Sequence, residues 1–461
     1  MSSKQVFNGT FWLDCAPDHQ ITGFLKVGPS EHPTVEVVGE LTSMWEVDQI
    51  VENPDGTKTV IQRPAEHETL TGPLIVHGNA TPEIPVTLVD AVTIGRKIAL
   101  LDKINDPLHR LRGTQAVIGG HLSGRNHEFS GISVRLQGFD GWADLIKRPE
   151  WSSPVNLDDG GIVTFEVHDQ YQVWLTVTNI SPCTLRDLDR LFLQPAVNLF
   201  TLAACESRNP LFNRVQDATS NEWWDVYTAS QVADDYQHDS IGGQMLLYPI
   251  DIQPRNIAGW FNKTKILGPL PSAVASQYES AVVSIDLQAL QLTTVAEGLH
   301  RALFPYDKKI DDADLVDAIR KAALDAVSGL HSEARNWVSG PLGYLADPGY
   351  GTRLKKLVET AGSSVPGVTG LEINKWVSMV SGTRNEFAHR LKKGEFSGDS
   401  DIDAYLTTTE SLRWLLTGIL MLEAGIDSTL LNSRFNEYDQ YHGVFFKFAK
   451  LWKPEIYGSP D

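Results

Sequence analysis

Ser381-Gly-Thr-Arg-Asn-Glu-Phe-Ala-His-Arg390 is the most informative stretch of the 461-residue sequence, which carries no other enzyme signature. Arg384 supplies a permanent cation with a planar fork of donors that suits phosphate oxygens. His389 can accept or release a proton near pH 7, and Asn385 adds an amide that can orient either group. These residue types indicate phosphodiester chemistry, which they can perform without a metal ion.

The spacing within this stretch is helical. Asn385 and His389 are four residues apart and share one face of a helix, whereas Arg384 lies about 140° from His389 around the helix axis. Arg384 converges with the other two side chains if it lies in the first turn. The three residues therefore indicate one site, with Arg384, Asn385 and His389 as its catalytic candidates.

Two helix registers fit the stretch. Thr383 followed by Glu386 matches a capping box, which predicts a helix that begins here and presents its exposed amides to phosphate. Alternatively, residues 371–391 form one helix interrupted at Gly382. An ordinary surface helix is the simplest interpretation of so short a pattern, but the added Asn, the small Ala388 and the helical surroundings favour a site.

Length and composition indicate a multidomain globular protein. The chain is too long for one compact core, and its 42% hydrophobic and 21% charged residues are typical of globular domains. We see no apolar run of about 18 residues and no charged-then-apolar leader, so we expect no membrane span and no secretion. The cytoplasm is the expected location.

The charge balance excludes a protein that coats nucleic acid broadly. Lys plus Arg number 39 against 58 Asp plus Glu, a formal net charge of −19, whereas such coating needs a basic face. A nuclease with this charge must concentrate its cations locally. Basic side chains do cluster around the motif and in one earlier run, and we predict RNA contacts from Arg390, Lys392, Lys393, Arg353, Lys355 and Lys356.

The first 180 residues have strand-like patterning. Short segments rich in β-branched and aromatic residues, separated by Gly, Pro, Asn and Asp, predict an antiparallel sandwich or barrel with strands over 5–12, 20–27, 34–41, 74–77, 86–94, 130–136, 162–167 and 171–178. Residues 46–71 are predicted to form a hairpin with a long loop, with a turn at Asn53-Pro-Asp-Gly-Thr57.

The pattern changes near residue 181. Residues 184–207 have helical periodicity with a kink expected at Pro195. Two more strands are predicted at 223–227 and 243–249. The first begins with Trp223 and Trp224, for which a core or interface position is favoured over a ligand-stacking role.

Beyond Pro254 the sequence is helical throughout. Apolar-periodic segments predict a bundle of five or six helices between 255 and 450, with helices over 272–304, 313–330, 332–338, 352–361, 371–391 and 402–424. The predicted fold class is therefore α+β and multidomain. A β-rich domain occupies 1–250, with a helix near 184–207, and an all-α bundle occupies 255–461, while residues 180–255 fit either side.

Other chemistries lack their usual motifs. The sequence has no HExxH, GxSxG or GxxxxGK[ST], and its three cysteines (Cys15, Cys183 and Cys205) are widely spaced, so we predict free thiols, no metal and no cofactor. Asp311, Asp312 and Asp314 lie at a helix start, where capping is favoured over metal binding.

A second constellation lies at Glu297, His300 and Arg301. On a helix these residues share a face at i+3 and i+4, so a bundle could bring them to Arg384 and His389. An ion pair beside a surface histidine is the simpler interpretation, and the sequence favours it slightly.

Two parts of the chain resemble a known family. Arg384-Asn-Glu-Phe-Ala-His389, in a C-terminal helical region, resembles the Arg-Asn-x3-His signature of HEPN domains, and Val295 to Phe304 is similar to the first helix of the ApeA-type HEPN domain. At the other end, Phe7 to Trp12, Gly23 to Leu25 and Val35 to Leu41 resemble the ApeA N-terminal domain.

The resemblance implies an anti-phage protein of the abortive-infection type. Its expected activity is that of a metal-independent endoribonuclease, regulated by an N-terminal sensing domain that responds to a phage-derived trigger. It further implies that Glu297 supports the Arg/His pair, and that two motifs face each other in a homodimer or higher oligomer.

The expected mechanism cleaves RNA and spares DNA. His389 acts as base on a ribose 2′-OH or as acid toward the 5′-oxygen, Arg384 stabilises the phosphorane and Asn385 orients His389 or the phosphate, which yields a 2′,3′-cyclic phosphate. One alternative is a non-catalytic dimeric interaction protein with a HEPN-like bundle. Another is a sugar- or peptide-binding β module that uses its Trp residues.

Overall fold

The computed structural model describes residues 4–41, 45–52, 54, 56, 58–64, 73–97, 108–169, 171–233, 244–279, 284–330, 332–390 and 399–459. The chain forms two compact units. The β-rich unit comprises Met1–Val197, Arg208–Gly243 and Gln253–Phe261, and the helical unit comprises Asn198–Ser207, Gln244–Ile252 and Asn262–Asp461. The predicted division at 250–255 stays a prediction.

The described strands pair antiparallel throughout. They are β1 (Gln5–Leu13), β2 (Ala16–Val27), β3 (Thr34–Val38), β4 (Trp45–Glu52), β5 (Lys58–Pro64), β6 (Leu74–Ala80), β7 (Ile84–Lys97), β8 (Leu108–Arg112), β9 (Gln115–Ile118), β10 (Glu128–Leu136), β11 (Val155–Asn156), β12 (Ile162–His168), β13 (Gln172–Thr178), β14 (Cys183–Thr184), β15 (Pro210–Asp217) and β16 (Trp223–Thr228). The predicted β-rich fold is thus confirmed.

Six of these strands close into a barrel. The order β7-β6-β1-β2-β3-β8 returns to β7, because the long β7 pairs with β6 through its first half and with β8 through its second half. Alternating residues such as Phe11, Leu25 and Leu111 fill the interior. Each fully buried side chain of this kind contributes about 1.5–3 kcal/mol relative to an exposed one.

Close strand packing in the barrel requires a glycine. Gly9 of β1 pairs with Gly23 on one side and Ala80 on the other, and a Cβ at Gly9 would clash with the backbone of Asn79. Closure of the barrel thus explains the glycine of the Phe7-Asn-Gly-Thr-Phe-Trp12 segment.

The sheet continues beyond the barrel. From β7 it runs through β9, β16, β15, β10, β13 and β12 to β11. Phe165 of β12 packs with Trp142 and Trp151, whose ring centroids lie 5.9 and 5.7 Å away. Trp224 is buried as expected, whereas Trp223 is exposed.

The helices between 255 and 450 are more numerous than the five or six predicted. The first five helices of the chain are α1 (Ala143–Ile146), α2 (Pro149–Ser152), α3 (Leu185–Leu188), α4 (Gln194–Ala204) and α5 (Pro254–Leu267). The rest are α6 (Leu270–Ala275), α7 (Ile285–Leu303), α8 (Ala313–Ala326), α9 (Ser332–Leu342), α10 (Tyr350–Ala361), α11 (Ile373–Arg390), α12 (Asp399–Glu423), α13 (Ser428–Glu437), α14 (Phe446–Trp452) and α15 (Pro454–Tyr457). None of the described helices is long and apolar enough to cross a membrane.

Three predictions about individual elements need correction. The helix expected over 272–304 is two helices, since α6 ends at Ala275 and α7 begins at Ile285. Residues 244–248 of the strand expected at 243–249 are not in a strand. The kink expected at Pro195 takes the form of a π-helical turn, Asp189–Leu193, just before the proline, because a proline cannot donate the next helical hydrogen bond.

Other local predictions hold where the chain is described. Asp312 caps α8, its carboxylate accepting from the Leu315 amide at 3.0 Å, and the three cysteines are free thiols. The β4–β5 pair forms the expected hairpin, but the two strands are joined by only five residues, 53–57, rather than by a long loop. Asn53, Asp55 and Thr57 of the predicted turn lie outside the described residues.

Candidate active site

The motif lies on the last two turns of a continuous helix. α11 begins at Ile373, ten residues before Thr383, and runs through Gly382 without interruption. The Thr383 hydroxyl donates to the Met379 carbonyl at 3.0 Å and lies 3.2 Å from the Thr408 hydroxyl. The predicted capping box is therefore wrong, because Thr383 is buried against α12 within an existing helix.

The single helix settles the register of the motif backbone. Asn385 and His389 share a face, and Arg384 lies about 140° from His389 on the same helix. The Asn385 side chain is exposed. The side chains of His389 and Arg390, and all of Lys392 and Lys393, lie outside the described residues.

Arg384 is held by a partly exposed group of side chains that we name the Glu297 cluster: Glu297, Arg301, Tyr350 and Arg384. Arg384 Nη2 donates to Glu297 Oε2 at 2.6 Å, while Arg301 Nη2 donates to Glu297 Oε1 at 3.0 Å. Glu297 on α7 thus links its own helix to α11. The Arg384 side chain remains 35% exposed, so this ion pair does not remove it from solvent.

Tyr350 holds the other side of Arg384. The Arg384 guanidinium carbon lies 4.5 Å from the centroid of the Tyr350 ring, within cation–π range. The Tyr350 hydroxyl donates to the Thr293 carbonyl at 3.1 Å, and burial raises the pKa of Tyr350 well above its usual range. A neutral, anchored ring and a carboxylate therefore restrict the guanidinium from two directions.

One turn further along α7 lies a second group of side chains, which we name the His300 cluster: His300 and Arg353, which are buried, and Asp307 and Asp347, whose side chains are 32% and 25% exposed. His300 is fully buried. Arg353 Nη1 donates to His300 Nδ1 at 3.0 Å, and His300 Nε2 lies 3.1 Å from Asp307 Oδ2. Because an arginine is only a donor, Nδ1 must be unprotonated and Nε2 must carry the proton donated to Asp307.

Electrostatics and burial together keep His300 neutral. Desolvation lowers the pKa of His300, and the nearby positive charge of Arg353 lowers it further against the opposing effect of Asp307. Arg353 also donates through Nε to the Pro348 carbonyl at 3.0 Å and lies 3.9 Å from Asp347. A buried imidazole and a buried guanidinium are therefore held together, with two partly exposed carboxylates beside them.

Two sequence-based expectations change as a result. His300 is not a surface histidine, although the ion pair between Glu297 and Arg301 has formed as the simpler interpretation required. The Arg353 side chain is only 6% exposed, and its guanidinium already contacts His300, Pro348 and Asp347. It is therefore not positioned to contact RNA. Lys355 and Lys356 of the same run are exposed.

Tyr350 is a site residue that the sequence did not predict. It lies in the Gly/Pro-rich stretch from Ser339 to Gly351, which the sequence predicts to be a loop. The only signal there was its position at the start of the apolar periodicity of the next helix. Within the part of the chain that the structure describes, no group of three or more His, Cys, Asp or Glu side chains is arranged to hold a metal ion.

The geometry defines a helical-bundle domain that presents an Arg-Asn-x3-His helix, joined in one chain to a β-barrel domain. Residues 290–430 match the family model described as Apea-like HEPN, and residues 6–181 match that of ApeA N-terminal domain 1. Searches of curated proteins and of solved structures gave no match. The two family matches together show an ApeA-like protein with a C-terminal HEPN domain.

These matches support an activity at a coarse level. HEPN domains are generally ribonucleases, which supports an endoribonuclease. The Apea-like HEPN match spans all members of both clusters as well as His389.

Proposed function

We propose that this protein is an anti-phage, abortive-infection endoribonuclease that cuts RNA without a metal ion at Arg384, Asn385 and His389. The observation that carries the proposal is the Glu297 cluster. An arginine of the HEPN motif is fixed by a carboxylate and a ring face, yet stays 35% exposed within the matched HEPN segment. Such preorganised, accessible cations are what phosphoryl transition states require.

Arg384 is assigned the stabilisation of charge. A guanidinium has five N–H donors, and the hydrogen bond that Arg384 makes to Glu297 engages only Nη2, which among the described residues leaves other donors for phosphate oxygens. Since the ring of Tyr350 limits its motion, Arg384 needs little reorganisation when negative charge develops on the phosphorane. Glu297 is a positioning residue in this scheme.

His389 is assigned proton transfer. The ribose 2′-oxygen attacks phosphorus as it loses its proton, the bond to the 5′-oxygen breaks, and that oxygen takes up a proton. The products are a 2′,3′-cyclic phosphate and a 5′-hydroxyl. His389 acts as base in the first transfer or as acid in the second, and Asn385 orients His389 or the phosphate.

The remaining assignments extend from this centre. Two proton transfers and one His389 per chain favour a homodimer, or higher oligomer, in which two motifs face each other. Exposed Lys355 and Lys356, together with Arg390, Lys392 and Lys393, are assigned to RNA binding. The β-rich domain is assigned regulation in response to a phage-derived trigger.

The test uses purified wild type, His389→Ala and the control His442→Ala, an exposed histidine outside the matched segment. Wild type and the control are expected to cleave labelled total RNA in EDTA, whereas His389→Ala should lose at least about 100-fold in rate. Product ends should carry 2′,3′-cyclic phosphate, and a 2′-deoxy substitution at the cut should abolish cleavage. Equal cleavage by all three proteins, or none by wild type even in phage-infected cells, would replace the nuclease with a non-catalytic role.

A further inference from the structure

A cavity of about 680 Å³ opens in the β-rich unit where β7 changes partners. Val89 of β7 pairs with Gln115 of β9, whereas Val92, three residues on, pairs with Arg112 at the end of β8. The change of partner separates β8 from β9 and leaves space between them. The volume lies within the range of about 300–1,000 Å³ that is typical of small-molecule sites.

One wall of this cavity is apolar and rigid. Leu122 and Phe129 are buried side chains that line it. The His127 ring, also part of the lining, lies 5.0 Å from the Phe129 ring. Leu122 and Phe129 are only 4% and 0% exposed, so they back the wall, and the more exposed apolar side chains of the lining include Val92, at 41%, and half-buried Leu185.

Neither ring nitrogen of His127 is available to a ligand. Its Nδ1 accepts from the Ser123 amide at 3.0 Å, so its Nε2 carries the proton and donates to Asp217 at 2.6 Å. Asp217 accepts in turn from the amides of Thr219 and Ser220, and this set of hydrogen bonds lowers the pKa of Asp217 despite its burial. The imidazole is therefore locked with both nitrogens in use.

The rest of the lining is cationic. Arg112, Arg125 and Arg186 come from three different segments and line the same cavity, against one carboxylate, Asp90. Asp90 lies 3.4 Å from Arg125. Neither Arg112 nor Arg186 has a carboxylate partner among the described residues, although the chain has a net charge of −19 and acidic groups are plentiful.

The carboxylate partner of Arg125 is held by an unusual backbone. Asp90 has a φ of +50°, in the left-handed region that residues other than glycine seldom adopt. The residue that carries this strain is the one at which β7 turns from β9 toward β8. Strain of this kind persists where surrounding structure over-determines it and is common at ligand sites.

We propose that this cavity binds a small organic phosphate of nucleotide size. Arg112 and Arg186 are the phosphate ligands, because guanidinium groups bind phosphate oxygens through paired charged hydrogen bonds. The exposed and half-buried apolar side chains of the lining, Val92 and Leu185, receive the base. This assignment rests on the β-rich unit alone and does not depend on the proposed nuclease.

Titration calorimetry of the full chain with each of the four ribonucleoside 5′-monophosphates tests the site. At least one nucleotide should bind saturably, and at least about tenfold more tightly than its nucleoside or inorganic phosphate, since both the cations and the apolar wall contribute. Arg112→Glu and Arg186→Glu should each weaken that nucleotide at least about tenfold. Both arginines are exposed, so both variants are expected to keep the unfolding midpoint of wild type.

Arg148→Glu is the matched control, because Arg148 is an exposed arginine of the same unit that does not line the cavity. It makes the same change in net charge and should bind nucleotide like wild type. The proposal is overturned if no monophosphate binds, if Arg148→Glu weakens binding as much as the cavity variants, or if inorganic phosphate binds as tightly as the nucleotides. RNA cleavage is not the readout, so failure here leaves the nuclease assignment to its own test.

Discussion

The Glu297 cluster and the His300 cluster begin one turn apart on α7, and each holds an arginine, but the two arginines differ in exposure. In the first, the Arg384 side chain is 35% exposed and contacts one carboxylate and one ring. In the second, the Arg353 side chain is 6% exposed and is held by an imidazole, a carbonyl and a carboxylate. Burial, rather than residue identity, separates an arginine that solvent reaches from one that is enclosed between helices.

This difference predicts opposite consequences of mutation. Removing one member of a buried charged network leaves the others desolvated without compensation. Removing one member of an exposed pair changes stability little, because water replaces the lost partner. Stability and activity measurements on paired variants therefore distinguish the two clusters.

Arg353→Ala is expected to have the largest effect on stability. The buried His300 ring would lose the donor to Nδ1, and the Pro348 carbonyl would lose the donor from Nε. We expect the free energy of unfolding in urea to fall by about 3–5 kcal/mol. Lys355→Ala, exposed on the same helix, should change it by less than about 0.5 kcal/mol. A loss below about 1 kcal/mol for Arg353→Ala would show that the two clusters do not differ in kind.

Arg384→Ala should have the reverse profile. Loss of the cation that stabilises the transition state should reduce the RNA cleavage rate about 100- to 1,000-fold. The free energy of unfolding should fall by less than about 1 kcal/mol, because the pair with Glu297 is partly exposed. Lys375→Ala, exposed on the same helix, serves as control for both measurements. A variant that unfolds readily but cleaves normally would assign Arg384 a structural role instead.

Glu297→Gln sharpens the comparison within the exposed cluster. The amide keeps the shape of the side chain but removes the charge that fixes Arg384, so kcat should fall about fivefold, equivalent to about 1 kcal/mol. KM should not rise, because Glu297 positions Arg384 without contacting RNA. Glu455→Gln, an exposed glutamate on α15, should leave both constants unchanged. An increase in KM alone would contradict the positioning role.

The smallest effect concerns the pH dependence of stability. His300 has a pKa below its usual value in the folded protein, so at mildly acidic pH the unfolded chain binds more protons than the folded one. Its contribution to stability is complete above about pH 6.5 and is lost as the pH falls below that value toward the lowered folded pKa.

Unfolding in urea from pH 8 to pH 5 measures this contribution. His300→Asn should be less stable than wild type but should show a smaller loss on acidification, since the group that titrates is absent. His442→Asn, at an exposed histidine, should keep the slope of wild type. Equal slopes for wild type and His300→Asn would show that His300 is not held neutral between Arg353 and Asp307.

Local sequence patterns determined much of the architecture. Alternating apolar residues marked most barrel strands, and apolar periodicity marked α8 to α12, because these signals arise from neighbours along the chain. The Arg-Asn-x3-His motif and the family resemblance are also local sequence signals, and the two family matches confirm the resemblance. The roles of Arg384, Asn385, His389 and Glu297 stay predictions.

Only the tertiary structure decided which of these residues meet and which are buried. The closing of β7 onto β8, the burial of His300 and Arg353, and the contact of Tyr350 with Arg384 all join segments far apart in sequence. The capping-box error has the same origin: Thr383 and Glu386 have the correct local spacing, but packing of α11 against its neighbours extends the helix past that signal. Residue types and their spacing set the available chemistry, whereas non-local packing set the burial that distinguishes Arg384 from Arg353.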